Sequence, residues 1–152
     1  MIAGVKGEQE LLSLLDRYRA DFHPSPWATS PYVVLAVTAA VAATTESARR
    51  LLLPEAWSSA YSRTRGVFPP LLPVSDVLQL EMSDKERGFY EQSLRGQIYG
   101  TPDEVNAALS GLVSRTGGDE VLLTTNTYDR ADLVESYRLL AEAAQLPALV
   151  TR

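Results

Sequence analysis

The sequence contains no cysteine and a single histidine, His23, among its 152 residues. Disulfide bonds, thiolate nucleophiles and cysteine-bound zinc are therefore excluded. One histidine also argues against a histidine-rich metal site and against a Ser-His-Asp arrangement. We expect no metal site, and chemistry that uses an organic cofactor or none.

The chain also lacks a basic stripe and a long apolar run. Fourteen basic residues stand against nineteen acidic ones, a net charge of -5, which argues against a nucleic-acid partner. The longest apolar stretch, Tyr32 to Ala43, is about eight residues short of the ~20 needed to span a bilayer. The first ten residues, MIAGVKGEQE, turn acidic and do not resemble an export signal. We therefore expect a cytoplasmic protein without a membrane partner.

The composition is that of one globular domain, residues 1–152, because 45% of the residues are hydrophobic and 22% are charged. Apolar residues at helical spacing predict amphipathic helices over Gln9–Phe22 and Thr101–Thr116. Ser83 and Asp129 are candidate N-caps of two further helices.

Three apolar segments separated by helical patterns predict strands. Tyr32–Ala43 contains one polar residue, Thr38, and Gln97–Tyr99 and Glu120–Thr125 are shorter. Because helical crossovers join parallel strands, the order predicts an α/β fold with about three parallel strands and flanking helices. Such a small sheet leaves apolar edges open, which favours pairing with another chain.

Residues 55–82 carry one glycine and three prolines and predict a long irregular excursion with one helix over Trp57–Arg65. The segment TTESARRLLL, residues 44–53, predicts a helix that Pro54 is expected to break or kink. Two interpretations of the aromatic residues stay open, since they can line a pocket or fill a core. These aromatic residues are Trp27, Trp57, Tyr61, Phe68 and Tyr90.

Two segments of the chain carry a resemblance to a known family. Residues 18–51 read YRADFHPSPWATSPYVVLAVTAAVAATTESARRL, and residues 98–143 read IYGTPDEVNAALSGLVSRTGGDEVLLTTNTYDRADLVESYRLLAEA. Together they resemble the C-terminal half of the bacterial luciferase-like flavin-dependent monooxygenases. The resemblance implies a partial (β/α)8 TIM barrel whose last strands are the three named above. It also implies that the first half of the barrel lies outside this sequence, as in a truncated or split enzyme.

The resemblance implies oxygenation of a small organic substrate that depends on FMN and O2, with a reductase supplying reduced flavin. It implies, as partners, reduced flavin, the substrate, and either further copies of this chain in a homo-oligomer or a complementary barrel-half chain. The alternative is a non-catalytic assembly subunit that pairs through exposed sheet edges.

The candidate cofactor-binding residues follow from the barrel, whose functional side chains gather at the carboxyl ends of strands. Thr38, Thr124 and Asn126 occupy or follow such positions, the last two within the segment TTNTY. Their hydroxyl and amide groups can bind flavin oxygens or a substrate. The competing interpretation, which base rates favour, is that they satisfy the loop backbone as turn residues. No catalytic residue is assigned.

Two further features have structural explanations. His23, in FHPSP at a helix end, is a candidate general base, but interaction with the helix dipole or solvent is the favoured role. Thr101, Pro102 and Glu104 have the spacing of a capping box, which explains YGTPDEV without a bound phosphate.

Overall fold

The structure is a computed structural model that describes residues 7–145. Within them the chain forms seven helices and three strands, with helices between successive strands. In chain order the elements are α1 Glu8–Ala20, β1 Val34–Val41, α2 Thr45–Leu51, α3 Leu53–Arg65, α4 Val74–Val77, α5 Asp84–Leu94, β2 Ile98–Gly100, α6 Pro102–Thr116, β3 Glu120–Thr124 and α7 Arg130–Ala143.

The three strands form one parallel sheet with β1 at its centre. β2 pairs with the end of β1, from Ala39 opposite Ile98 to Val41 opposite Gly100. β3 pairs with the start of β1, from Val34 opposite Glu120 to Thr38 opposite Thr124. The predicted α/β class with three parallel strands is therefore confirmed.

The expectation of a partial (β/α)8 TIM barrel is wrong. In such a barrel each strand pairs with the next strand along the chain, whereas the order here is β2-β1-β3 and the sheet is open. The physical reason is that α6 carries the chain from β2 back past β1, so that β3 joins the opposite edge of the central strand.

One face of the sheet is covered by α1, α6 and α7. Ala39 and Val41 pack with Val105 of α6 and Leu140 of α7. A second cluster extends this core towards the start of β1. Its buried members are Leu15, Val33 and Leu35. Along β1, Leu35, Ala39 and Val41 lie at positions of the same parity and so point to this face, as expected for a strand that buries one face.

The other face of the sheet is covered only near the carboxyl end of β1. There Ala40 packs against Leu51 and Leu52. Towards the start of the strand Val34 is 44% exposed, and on β3 Leu122 is 47% exposed. Because parallel sheets are normally covered on both faces, this open face is the unusual feature of the fold.

Helices α3 and α4, which lie largely within the segment predicted to be an excursion, build a separate small core with α5. Leu53, Trp57 and Val77 are buried in it, and Tyr61 and Tyr90 pack against them. These aromatic residues therefore fill a core. By contrast, Trp27 and Phe68 are exposed.

Pro54 starts a helix instead of kinking one. α2 ends at Leu51, and α3 begins at Leu53 with the proline in its first turn. Proline is tolerated there because the amide hydrogen it lacks would have no intrahelical partner. No helix between residues 7 and 145 has the length and apolar character needed to cross a bilayer.

Candidate functional site

Thr38 and Thr124 lie side by side on the open face. They are directly opposite each other in the register of β1 and β3, and their hydroxyl oxygens are 3.4 Å apart. Thr124 Oγ1 also lies 3.4 Å from the carbonyl oxygen of Val37, to which it can donate. Two of the three predicted cofactor-binding residues are therefore brought together.

This pair lies next to the place where the strand order reverses. From β1 the chain crosses to β2 at one edge of the sheet, and from β2 it crosses back past β1 to β3 at the other edge, so the direction of the connections reverses around β1. In open α/β sheets, ligands bind at the carboxyl ends of the strands at such a reversal. The loop after β3 begins at this edge.

Within that loop the polar residues have different roles. Thr125 is buried, and its hydroxyl donates to the carbonyl oxygen of Ala39, as expected of a turn residue that satisfies backbone. Asn126, the third predicted residue, donates from Nδ2 to Glu55 Oε1 at 2.8 Å. This hydrogen bond connects the loop to α3. Among the hydrogen bonds of residues 7–145, none joins the Asn126 side chain to Thr38 or Thr124.

Sequence analysis missed Glu55. Its residue neighbours Leu53, Pro54 and Ala56 are all buried. An acidic residue inside such an apolar helical stretch was the available signal, because carboxylates are seldom placed there without a partner.

A cavity of about 450 Å³ lies beside Thr38 and Glu55. Its walls come from the middle of β1, from α3, and from the end of α5 with the turn that follows. The lining residues are Ala36, Val37, Thr38, Glu55, Ala56, Ser59, Arg63, Gln92, Ser93, Arg95, Gly96 and Gln97.

Two buried oxygen atoms in the cavity wall have no hydrogen-bond partner in the described part of the chain, Glu55 Oε2 and Gln97 Oε1. The other half of each group is used, since Glu55 Oε1 accepts from Asn126 and Gln97 Nε2 donates to the carbonyl of Ser93 at 2.6 Å. Buried polar atoms are rarely left unpaired in folded proteins. Both atoms are closed off from solvent, so they lie behind the surface that faces the cavity.

The helix N-termini near the carboxyl edge are closed by the protein itself. Glu104 Oε2 accepts from the Thr101 backbone at 2.8 Å and from Thr45 Oγ1 at 2.7 Å, which completes the predicted capping box of α6. These hydrogen bonds, first that of Thr45, lower the pKa of Glu104. Asp129 caps α7 through the backbone N–H of Ala131 at 2.7 Å. Carboxylates at these ends repel phosphate.

His23 lies away from the threonine pair. It is exposed, and its Nδ1 is 2.8 Å from the carbonyl oxygen of Asp21, just after the end of α1. It lines a larger, mostly apolar cavity of about 870 Å³ between α1 and β1, together with Tyr18 and Phe22. Among residues 7–145 there is no cluster of three or more acidic or histidine side chains that could hold a metal ion.

The chain is similar to a protein of known sequence and to a solved structure. Over 132 residues the chain is 31% identical to the uncharacterized protein YvbT of Bacillus subtilis (strain 168), covering 84% of this chain and 38% of YvbT. The crystal structure of apo-MsnO8 superposes with a TM-score of 0.72 at 28% identity, covering 91% of this chain and 42% of MsnO8. No family model matches the sequence. The chain thus spans about two-fifths of the length of either relative and shares its fold with part of MsnO8.

Proposed function

We propose that this chain is part of a luciferase-like flavin-dependent monooxygenase, which oxygenates a small organic substrate with FMN and O2. The observation that carries the proposal is the pair of hydroxyls on Thr38 and Thr124, 3.4 Å apart on the uncovered face beside the strand-order reversal. The resemblance of the sequence to that family supports it. So does the likeness to MsnO8, a protein whose solved form is described as apo.

The residues of the open face suit the flavin ring of FMN better than its phosphate. The open face offers hydroxyl groups beside apolar Ala36 and Leu122, which suits a planar ring with polar edges. The N-termini of α6 and α7 do not suit the phosphate, because Glu104 and Asp129 cap them. In this proposal the chain contacts the flavin ring, and the phosphate is held outside the described residues.

FMN, when bound and reduced, supplies the electrons that activate dioxygen. The chain's own residues orient and shield the ring. Thr124 can donate to the Val37 carbonyl, which leaves the Thr38 hydroxyl to contact a ligand. Val34 and Leu122 give the site an apolar floor, and an apolar floor helps to exclude water once the face is covered.

Equilibrium binding of oxidised FMN and, without oxygen, of reduced FMN tests the proposal. We expect saturable binding that Thr38→Val weakens by roughly fivefold, because it removes one hydrogen bond of about 1 kcal/mol to the ligand. Thr124→Val should weaken binding less, because the Thr124 hydroxyl can donate to the Val37 carbonyl. The matched control is Thr64→Val, since Thr64 lies on α3 and donates to the Ala60 carbonyl. Absence of binding in both redox states would reject flavin binding by this chain.

A second candidate function is a non-catalytic assembly subunit that pairs through its sheet edges. The observation that favours it is an unpaired edge, because β2 contacts β1 only over Ala39–Val41. Over Val34–Thr38 the side of β1 away from β3 carries no strand among the described residues, and β3 is itself an edge strand. Such edges pair readily with another chain.

Light scattering separates these functions. A dimer or larger homo-oligomer that binds no FMN supports the assembly subunit. A monomer that gains mass only when a second polypeptide is added supports a complementary chain. A monomer that binds FMN and takes up no second chain would leave the enzyme proposal standing and reject the assembly subunit.

A further inference from the structure

The cavity of about 450 Å³ is lined both by a residue of the proposed flavin site and by two arginines. Thr38 is the shared residue, since it lines the cavity and forms the hydroxyl pair with Thr124. A molecule in the cavity would therefore lie beside a flavin ring bound on the open face. The volume is within the range of small-molecule pockets, about 300–1,000 Å³.

The charge that this cavity offers to a ligand is positive. Its charged lining residues are Glu55, Arg63 and Arg95. The Glu55 carboxylate is already used, because Oε1 accepts from Asn126 at 2.8 Å and Oε2 is closed off from solvent. Both arginines are exposed, and neither forms a salt bridge with another of the described residues. The lining therefore favours an anion.

Arg63 is the better ordered of the two arginines. Its Nη1 donates to Gln92 Oε1 at 3.0 Å, and its guanidinium carbon lies 5.5 Å from the centre of the Phe89 ring. A guanidinium group has several N–H donors in one plane, and Arg63 uses one of its nitrogens in the hydrogen bonds described within residues 7–145. Two parallel N–H donors of this kind match the two oxygens of a carboxylate.

Helix α3 continues this wall away from the guanidinium group. Residues three or four apart share one face of a helix, so Ala56, Ser59 and Arg63 form a row, and all three line the cavity. The row runs about 10 Å along the helix axis, at a rise of ~1.5 Å per residue. Ala36 and Val37 of β1 add further apolar lining. A ligand that fits this lining has an apolar body and one acidic end.

We infer that the substrate class of this site is a small carboxylic acid, whose carboxylate binds Arg63 and whose apolar body lies against Ala56, Ala36 and Val37. The binding of the acid follows from the cavity lining. Its role as substrate rests on the proposed function, because Thr38 places the acid beside the flavin ring.

Calorimetric titration with three probes of equal chain length tests the inference. Hexanoate carries the acid, hexanol is neutral, and hexylammonium carries the opposite charge. We expect hexanoate to bind, hexanol to bind roughly tenfold more weakly, and hexylammonium not to bind measurably. Equal affinity for hexanoate and hexanol, or binding of hexylammonium as tight as that of hexanoate, would overturn the assignment.

A variant of Arg63 locates the carboxylate. Arg63→Gln should weaken hexanoate by roughly tenfold and leave hexanol unchanged, because it removes a charged donor at an exposed position. The matched control is Arg65→Gln, also on α3, since Arg65 lies outside the cavity lining with its guanidinium group over Tyr61. The control should change neither affinity. Unchanged hexanoate affinity in Arg63→Gln, with the fold verified by circular dichroism, would contradict the inference.

FMN and riboflavin, which lacks the phosphate, separate the acid from the anion of the cofactor itself. We expect Arg63→Gln to leave the affinity for both flavins unchanged. A loss for FMN alone would assign Arg63 to the phosphate and overturn the inference. A chain that binds FMN but not hexanoate would reject this inference alone. A chain that binds hexanoate but neither flavin would reject the proposed function and, with it, the role of the acid as substrate.

Discussion

The two faces of the sheet differ in what covers them. On one face, side chains of β1 pack against Val105 and Leu140, which are 0% and 6% exposed. On the other face, Leu122 of β3 is 47% exposed and lies near the hydroxyls of Thr38 and Thr124. The first face stabilises the fold, whereas the second carries the hydroxyl groups of Thr38 and Thr124 beside apolar side chains that stay exposed.

The difference is unexpected for parallel strands, which are usually buried on both sides. Exposed apolar patches commonly mark binding surfaces, because a bound molecule removes the apolar surface from water. Our account is that a ligand or a further chain covers this face. The predictions below measure how far the two faces differ.

The largest effect is expected on the covered face. Leu140→Ala should lower the free energy of unfolding by about 2–5 kcal/mol, because it leaves a cavity in a packed core. Urea denaturation followed by circular dichroism measures it. A loss below about 1 kcal/mol would mean that α7 does not seal this face as described.

A smaller effect is expected at the N-terminus of α6, which directly follows β2. Thr101→Ala removes the N-cap of α6 and should cost about 1 kcal/mol. The same denaturation experiment measures it, and Thr127→Ala, at a position that caps no helix in the described chain, serves as its control. Equal losses in the two variants would argue against the capping box as the source of stability.

The matched change on the open face should have less effect still. Leu122→Ala removes the same atoms as Leu140→Ala from a half-exposed position, so we expect a loss below about 1 kcal/mol. A loss as large as that of Leu140→Ala would show that the open face is buried in solution. Analysis at several protein concentrations would then tell whether self-association buries it.

The smallest effect concerns pH. Glu104 has its pKa lowered from the ordinary value of 4.5 by the Thr45 and Thr101 hydrogen bonds. The stability it contributes is therefore present above pH 4.5 and is lost as pH falls through the lowered pKa. Glu104→Gln should flatten the acid side of the stability profile. An unchanged profile would show that Glu104 does not contribute to the pH dependence of stability.

Sequence patterns predicted the elements better than their arrangement. The apolar run around Thr38 gave β1, and the Thr101–Glu104 spacing gave the start of α6, because both signals are local. The strand order could not be found this way, since it depends on which edge of β1 each later strand joins. The barrel inferred from resemblance was wrong for that reason.

In the candidate site, too, individual residues could be predicted from the sequence, whereas their contacts could not. Thr38 and Thr124 were predicted separately, and their contact follows from a register between residues far apart in the chain. Glu55 was missed because its partner, Asn126, is 71 residues away. Long-range pairings of this kind leave no periodic trace in a single sequence.

One measurement tests the central claim most directly: titration of isotope-labelled protein with FMN, followed by nuclear magnetic resonance of backbone amides. Our account predicts saturable shifts centred on Thr38, Leu122 and Thr124, on the open face. Amides of Val105 and Leu140, on the covered side, should stay unchanged. Shifts confined to the covered side, or none at saturating FMN, would contradict the account.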